Sequence, residues 1–251
     1  MIEVKGLNKS FGDNHVLKDI NITFQQGIPN LVIGASGSGK TTLCKCIVGL
    51  HEPETGTISY GGRVFNNQSE SVKKEIRQEI GFLFQGSALF DSMTVEDNIK
   101  FPLRMFSKLS DKEMQSRADF CLERVDLKGT NKLMPSELSG GMKKRVGIAR
   151  AISFNPRYLF CDEPNSGLDP QTSILIDKLI LDITQEFNIT TIVITHDMNS
   201  VLEIGKHVAF IYKGDLLWTG TNQEILRADT AELTDFVYAS EYMKRIRSLM
   251  Q

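Results

Sequence analysis

A glycine-rich octapeptide between an apolar stretch and a helix-forming stretch constrains this chain more than any other feature. It reads Gly-Ala-Ser-Gly-Ser-Gly-Lys-Thr over residues 34–41. The run Asn30–Ile33 before it is short and apolar, which is typical of a buried strand, and the stretch Thr41–Leu50 after it has helical spacing. A strand that leads through glycines directly into a helix is the opening unit of an α/β fold.

The octapeptide has the composition of a phosphate-binding loop. Its glycines let consecutive backbone N–H groups point inward as an anion nest, and the helix presents its positive end to the same point. We expect Lys40 to bridge the β and γ phosphates of ATP and the Thr41 hydroxyl to bind magnesium. The alternative is a chance Gly-Lys-Thr sequence in an unrelated loop, which the flanking strand and helix disfavour. The expected ATP contacts are Gly34, Ala35, Ser36, Gly37, Ser38, Gly39, Lys40, Thr41 and Thr42.

The composition predicts a compact soluble protein. Of the 251 residues, 41% are hydrophobic and 24% are charged, and the formal net charge is −2. A chain so close to neutrality has no overall field that would favour nucleic acid or an acidic membrane surface. No apolar run approaches the roughly 18–20 residues of a membrane helix, and the first residues lack the apolar region of a signal peptide. We expect a cytoplasmic protein that reaches a membrane only through a partner.

The four cysteines allow two interpretations. Cys44 and Cys46 are spaced as a metal-binding pair could be, but no further Cys or His cluster with zinc spacing accompanies them. We expect reduced thiols that pack as small apolar side chains in a reducing compartment.

A pair of carboxylates follows a second apolar strand. Tyr158–Cys161 is the strand, and Asp162 and Glu163 come directly after it. A buried carboxylate is costly unless a cation compensates its charge, and ligands gather at the carboxyl ends of parallel strands. We expect Asp162 to face magnesium and Glu163 to point to the other side of the chain. The alternative is a structural Asp-Glu-Pro turn that closes a core strand.

A second helix start also carries glycines. Ser139, Gly140 and Gly141 open a predicted helix that runs to about Ile152, and the free N–H groups there suit a phosphate. The loop over residues 34–41 already fills that role within one chain. We therefore expect these residues to contact the ATP of a second copy, in a head-to-tail dimer that encloses two ATP molecules.

Three basic residues follow in the same helix. Lys143, Lys144 and Arg145 have the charge of a nucleic-acid patch or of a solvated helix face. We expect the solvated face, and no nucleic-acid partner.

Six elements occur along the chain in the order found in the ATP-binding cassette (ABC) ATPases, a family that the chain resembles over residues 1 to about 222. They are the phosphate loop, Gln85 after the strand Ile80–Phe84, the signature Leu138-Ser139-Gly140-Gly141, the pair Asp162-Glu163, the loop Ser166–Asp169 and His196. The resemblance implies a P-loop NTPase (RecA-like) core with an N-terminal antiparallel β subdomain and an inserted α-helical subdomain.

The resemblance also implies roles for individual residues. Glu163 would polarise the attacking water, His196 would hydrogen-bond the γ phosphate, and Gln85 would contact magnesium and water. Phe11 falls where the family places an aromatic ring, usually tyrosine, on adenine; a core aromatic beside a turn is the alternative. The implied catalytic set is Lys40, Gln85, Glu163 and His196. The implied magnesium ligands are Thr41, Gln85 and Asp162.

The pattern divides the chain into a core over residues 1–88 and 154–222, a helical insertion over 89–153 and a helical tail over 223–251. Within the insertion, Ser110 and Glu113 predict a capping box. The tail carries an apolar stripe, which predicts packing on its own core or contact with another subunit. The stripe consists of Phe236, Ala239, Met243, Ile246 and Met250.

Met142 stands where the family signature usually has glutamine. This residue, together with the stretches 84–95 and 162–170, makes the chain most similar to the ATPases of Mla/Mce-type phospholipid transporters. That similarity implies an integral-membrane permease, a lipid-binding Mce-domain protein and a small accessory protein as partners, at the cytoplasmic face of the inner membrane. The alternative within transporters is an amino-acid or metal-ion importer.

Soluble cassette ATPases of translation or DNA repair are a further alternative. Translation types carry two cassettes in one chain, and this chain has one. Repair types place a long coiled coil between the two lobes, and the 54 positions from Gln85 to Ser139 (139 − 85) are too few for it.

Overall fold

Two β-sheets and nine helices form the computed structural model, which describes the backbone of residues 1–250 and the side chains of all these except residues 242, 246, 249 and 250. The larger sheet contains six strands in the order β10-β9-β3-β8-β7-β6, and only the β9–β10 pairing is antiparallel. Its strands are β3 (Pro29–Ile33), β6 (Ile80–Leu83), β7 (Tyr158–Asp162), β8 (Thr190–Ile194), β9 (His207–Tyr212) and β10 (Asp215–Gly220).

The smaller sheet contains four antiparallel strands in the order β2-β1-β4-β5. Its strands are β1 (Ile2–Phe11), β2 (Asn14–Phe24), β4 (Thr55–Tyr60) and β5 (Arg63–Val64). The alternating pattern of the first thirty residues predicts β1 and β2, whereas β4 and β5 were not expected. These two sheets give the α/β fold with an antiparallel β part that the sequence predicts.

Three helices lie between β6 and β7 in the chain, where the sequence predicts a helical insertion: α3 (Val95–Phe106), α4 (Asp111–Arg124) and α5 (Gly140–Ile152). The others are α1 (Lys40–Ile47), α2 (Glu70–Gln78), α6 (Pro170–Glu186), α7 (Met198–Ile204), α8 (Ala231–Val237) and α9 (Glu241–Met250). Ser110 and Glu113 form the predicted capping box at the start of α4. None of the described helices is both long and apolar enough to cross a bilayer.

The central strands of the larger sheet, β3, β7 and β8, bury both of their faces, and successive side chains enter different cores. Leu31 and Ile33 pack with the helices of the insertion and of the chain's second half, whereas Val32 between them packs toward the smaller sheet. Leu159 and Phe160 divide in the same way. This follows from the two-residue period of a strand, and it explains why these strands are continuously apolar in sequence.

All four cysteines are buried free thiols, as the sequence predicts. Burial raises the pKa of Cys46 and of Cys121 to about 11, so both are uncharged at neutral pH.

The apolar stripe expected along the helical tail is interrupted in the structure. The tail contains a short 3-10 turn at Ile225–Arg227 and then α8 and α9, with a break between them. Because of this break the helical period does not continue: Met243 is buried in the main core, Phe236 packs against that core, and Ala239 is exposed. The predicted positions 246 and 250 lie outside the described side chains.

The capping box gives a test of the insertion. Ser110→Ala removes the hydroxyl that accepts from the Glu113 amide, and it should lower the free energy of unfolding by about 1 kcal/mol. Ser116→Ala is the matched control, because Ser116 is exposed in the middle of the same helix. It should change the free energy of unfolding by less than about 0.5 kcal/mol. Urea unfolding measures both values. Equal effects of the two substitutions would contradict the claim that the Ser110 cap stabilises α4.

Candidate functional site

The glycine-rich loop passes so close to β9 that no side chain fits at its first residue, Gly34. A Cβ atom at Gly34 would lie 2.2 Å from the Ile211 carbonyl oxygen, and the φ angle of Gly34 is +148°. Gly39, at the start of α1, also has a left-handed backbone with φ of +112°. Ala35, Ser36 and Gly37 are exposed between them. The backbone thus curls in front of α1 and leaves the loop's outer surface open to a ligand.

Lys40 is buried beneath this loop. Its Nζ donates to the carbonyl oxygens of Gly34 (2.7 Å) and Ala35 (3.0 Å). Burial lowers the pKa of Lys40, and the nearby carboxylates of Glu163 and Asp162 oppose that shift. The ammonium group is therefore held where it would meet a phosphate bound on the loop.

The donors present fit a polyphosphate. The buried Ser38 hydroxyl has no hydrogen-bond partner among the described residues, and an unpaired buried hydroxyl is uncommon. Thr41 is exposed and Thr42 half-buried in the first turn of α1. Together with the Lys40 ammonium and the glycine amides, these hydroxyls form the set of groups that binds a nucleoside triphosphate.

The two carboxylates lie at the carboxyl end of β7, as predicted. Burial raises the pKa of Asp162, the neighbouring Glu163 adds to the rise, and Lys45 and Lys40 oppose it. A partly buried carboxylate beside a second carboxylate suits a divalent cation, since magnesium would compensate the buried charge and reduce the repulsion between the two groups.

The structure brings Glu163 and His196 into contact, although 33 positions separate them. Nδ1 of His196 lies 2.8 Å from Oε1 of Glu163. Glu163 has an unusual φ angle of +46°, and its N–H donates to the Ile194 carbonyl at 2.8 Å. Left-handed backbone in a residue other than glycine is strained, and such strain is typical of functional sites.

Gln85 lies in the loop after β6, which ends at Leu83, one residue earlier than predicted. Its side chain is exposed and donates to the Ser166 hydroxyl at 3.4 Å. Gln85 therefore contacts the loop Ser166–Asp169 and not the carboxylates themselves in this structure.

Phe11 is the last residue of β1 and is 47% exposed, which excludes a core aromatic. Its ring meets His51 edge to face at 5.3 Å, and Lys9 Nζ lies 5.1 Å from its centre. The exposed part of the ring could stack on a flat ligand.

The signature residues form an open helix start, away from the cleft. Ser139 accepts a hydrogen bond from the Met142 amide at 3.2 Å, and Ser139 and Gly140 are exposed. The cleft lined by Ala35, Ser36, Glu163 and His196 includes none of the signature residues among its described walls. Within one chain, the two helix starts predicted to bind phosphate are thus separate.

The chain also matches a known protein family in sequence. The sequence model of the family described as "ABC transporter" matches residues 17–166. The chain belongs to the ABC transporter family.

Relatives within the family carry different assignments. The chain is 36% identical to a probable ribonucleotide transport ATP-binding protein, Mkl, of Mycobacterium leprae over 94% of this chain and 68% of that one. It is 38% identical to the methionine import ATP-binding protein MetN of Clostridioides difficile, over 94% and 74%. It is 36% identical to the intermembrane phospholipid transport ATP-binding protein MlaF of Haemophilus influenzae, over 94% and 90%.

Solved ABC proteins share the fold. CbiO1 of Clostridium perfringens, part of the ABC transporter complex CbiONQ, is 30% identical with a TM-score of 0.85, over 99% of this chain and 98% of that one. A dimeric bacterial ABC transporter cassette, also 30% identical, superposes with a TM-score of 0.81 over 88% and 99%. The same cassette is known as a dimer in a post-hydrolysis state with ADP and phosphate.

One basic residue of the cassette is not where the sequence places it. Lys143 and Arg145 are half-buried, but Lys144 is only 4% exposed, so the prediction of a solvated face is wrong for Lys144. The helical period gave no sign of this, because the acceptors of Lys144 are backbone carbonyls of two distant loops.

A buried polar cluster supports the segment after Glu163. Asn165 Nδ2 donates to the Asp177 carboxylate at 2.8 Å and to the Ser200 hydroxyl at 2.9 Å. Burial raises the pKa of Asp177 to about 6, against hydrogen bonds from Ser200 and Asn165 that lower it.

This pKa predicts how stability changes with pH. Because the pKa of Asp177 is higher in the folded state than in the unfolded chain, its contribution to stability is complete below about pH 4 and is lost as the pH rises through about 6. Relative to Asp177→Asn, the wild-type chain should lose up to about 3 kcal/mol of unfolding free energy between pH 4 and pH 7. Urea unfolding across this range measures the difference. Asp182→Asn, an exposed substitution on the same helix, is the control. A wild-type minus Asp177→Asn difference that does not vary with pH would contradict the assignment.

Proposed function

We propose that this ABC cassette is a magnesium-dependent ATPase subunit, and that Lys40, Gln85, Glu163 and His196 carry its reaction. The observation that carries the proposal is the convergence at one edge of the larger sheet. There the buried Lys40 ammonium lies beneath the open loop, and Glu163 pairs with His196 at 2.8 Å. These groups supply phosphate binding and proton acceptance at one place.

Phosphate binding rests on the loop and on Lys40. The carbonyls of Gly34 and Ala35 hold the ammonium beside the loop, where it would meet the β and γ phosphates of a bound ATP. The N–H groups of residues 34–42 would bind the same phosphates, and Phe11 offers an exposed ring to adenine. Thr41, Gln85 and Asp162 would hold magnesium. The ion supplies positive charge that stabilises the phosphates during transfer.

Glu163 would orient the attacking water and accept its proton. A general base of this kind contributes roughly 10²–10⁴-fold in rate. The backbone of Glu163 is fixed at the end of β8 by its 2.8 Å bond to Ile194, so the carboxylate has a defined direction. His196 is the neighbour that would respond to the presence of the γ phosphate.

The signature residues would complete the site of a second copy. The helix start at Ser139, Gly140 and Gly141 is exposed at its first two residues, and it does not line the cleft of its own chain. Two copies arranged head to tail bring each signature to the partner's phosphate loop. The dimeric cassettes of the same fold support this arrangement.

Replacement of Glu163 tests the reaction. Glu163→Gln keeps the size and one oxygen of the side chain but removes the base, so the variant should bind ATP with magnesium and hydrolyse it at least about 100-fold more slowly. Phosphate release gives the rate, and titration with a fluorescent ATP analogue gives the affinity. Glu123→Gln, an exposed carboxylate on α4, should behave as the wild type. Near-normal turnover of Glu163→Gln would overturn the proposed mechanism.

A groove lined by aromatic rings would receive the permease. It lies between β6 and the helices of the insertion, has a volume of about 370 Å³, and begins next to the loop that carries Gln85. Its aromatic lining consists of Phe82, Phe84, Phe90, Phe101, Phe106 and Phe154. An apolar surface of this kind next to the site could transmit closure of the dimer to a membrane subunit. Docking through this groove would place the chain at the cytoplasmic face of the inner membrane.

The cargo that we propose is phospholipid, carried between membranes by a complex that includes a permease, an Mce-domain protein and a small accessory protein. Support comes from the 36% identity to MlaF, whose length the match covers to 90%, and from Met142 after the signature. A methionine importer is the second candidate, because MetN is 38% identical.

Transport by the assembled complex separates the two cargoes. The chain is purified with its membrane partners from its own cells and placed in vesicles with ATP. We expect transfer of a fluorescent phospholipid and no accumulation of labelled methionine. The complex with Glu163→Gln is the control and should transfer neither. Methionine accumulation without lipid transfer would reject the lipid proposal and leave the ATPase assignment intact.

A further inference from the structure

We propose that Lys144 is a positioning residue for the hydrolysis of ATP: its ammonium group fixes the backbone of Glu163 and the loop of Gln85 to the signature helix. This inference rests on the proposed roles of Glu163 and Gln85. The geometry that carries it is one Nζ atom that donates to the carbonyl of Gln85 and, at 3.2 Å, to the carbonyl of Glu163.

Burial makes this contact significant. Lys144 is 4% exposed, and a lysine is seldom buried unless its charge has partners. Burial lowers the pKa of Lys144, while Cys161, Glu163 and Asp162 act in the opposite direction. An ammonium in such surroundings depends on the two carbonyls it contacts, so the three segments that meet at Nζ are held together.

The effect on Glu163 follows from its strained backbone. Its φ angle is +46°, a conformation that residues other than glycine seldom adopt. Both polar backbone groups of Glu163 are tied: its N–H donates to Ile194 at 2.8 Å, and its carbonyl accepts from Ser166 N at 3.2 Å and from Lys144. Removal of the ammonium takes away one of the two hydrogen bonds to the Glu163 carbonyl. The Glu163 carboxylate is then held less firmly in its direction toward His196.

A second buried basic residue of α5, Arg150, contacts only one of these two loops. Arg150 is also buried and donates to the carbonyls of Ser87 and Ala88, both at 2.6 Å. Arg150 therefore anchors the loop after Gln85 but not Glu163. Lys144 links both loops to α5, so a rotation of this helix would directly move the backbone of Glu163, the proposed general base.

The test compares Lys144→Met with Lys143→Met, the adjacent half-buried lysine, in the full-length protein. For Lys144→Met we expect a fall in kcat of at least tenfold, with KM for ATP and the affinity for the ATP analogue within twofold of wild type. In the nucleotide-free protein, hydrogen exchange should increase in peptides that cover residues 84–88 and 162–168. Lys143→Met should change neither. Lys144→Arg, which keeps two donors and the charge, should recover most of the rate and the protection.

A purely structural role would give a different pattern. It would lower thermal stability without a specific gain of exchange at 162–168, or it would change KM and kcat together; either result overturns the proposal, as does a kcat equal to that of Lys143→Met. If Lys144→Met does not fold, Lys144→Gln against Lys144→Arg decides, because the shorter amide cannot reach both carbonyls. A Gln variant equal to wild type would overturn the inference. Loss of rate in Glu163→Gln alongside normal Lys144 variants would reject only this inference, whereas normal turnover of Glu163→Gln would reject the proposed function itself.

Discussion

Two buried ammonium groups flank the acidic pair at the carboxyl end of β7, and the arrangement of the surrounding loops depends on this balance of charge. Lys40 approaches from the phosphate loop and Lys144 from the signature helix, and the carboxylates of Asp162 and Glu163 oppose the lowering of both pKa values. Each ammonium donates to two backbone carbonyls: Lys40 to those of Gly34 and Ala35, and Lys144 to those of Gln85 and Glu163. Gly34 and Glu163 both have positive φ angles. A buried charge and a left-handed backbone thus occur together at each of these two contacts.

Local features of this structure follow from the sequence, whereas contacts between distant segments do not. The continuous apolar strands, the capping box at Ser110 and the helix start at Ser139 follow from local periodicity and capping chemistry, and the structure contains all of them. The contact between Glu163 and His196 was not predicted, because it depends on the adjacency of β7 and β8, which is a property of the sheet order. The burial of Lys144 was missed, since its partners are carbonyls that carry no signal in the side-chain pattern. The break between α8 and α9 was missed as well, because the apolar residues of the tail fit one uninterrupted helix until the turn at 238–240 is seen.

Family membership relates these contacts to the ATPase subunit of an ABC transporter. The relatives transport different cargoes, yet the match runs over 94% of the chain in each of three of them. Similarity over the same share of the chain to proteins named for different cargoes therefore supports the ATP-binding cassette and not one particular cargo. The resemblance leads one to expect tyrosine at position 11 and glutamine at position 142. With Phe11 and Met142 there, the structure still has an exposed aromatic ring at the end of β1 and the Ser139 cap at the start of α5.

The central claim is that each site consists of the phosphate loop of one copy and the signature of another. Mixing two inactive variants tests it most directly. Lys40→Ala disables the loop, and Gly140→Glu places a negative charge at the exposed signature, where a Cβ atom meets only Leu168 at 3.5 Å. A mixed dimer then holds one site with both defects and one intact site. The account predicts ATP hydrolysis in the mixture well above the sum of the two variants measured separately. Absence of any recovery, in a mixture shown to contain mixed dimers, would contradict the shared site.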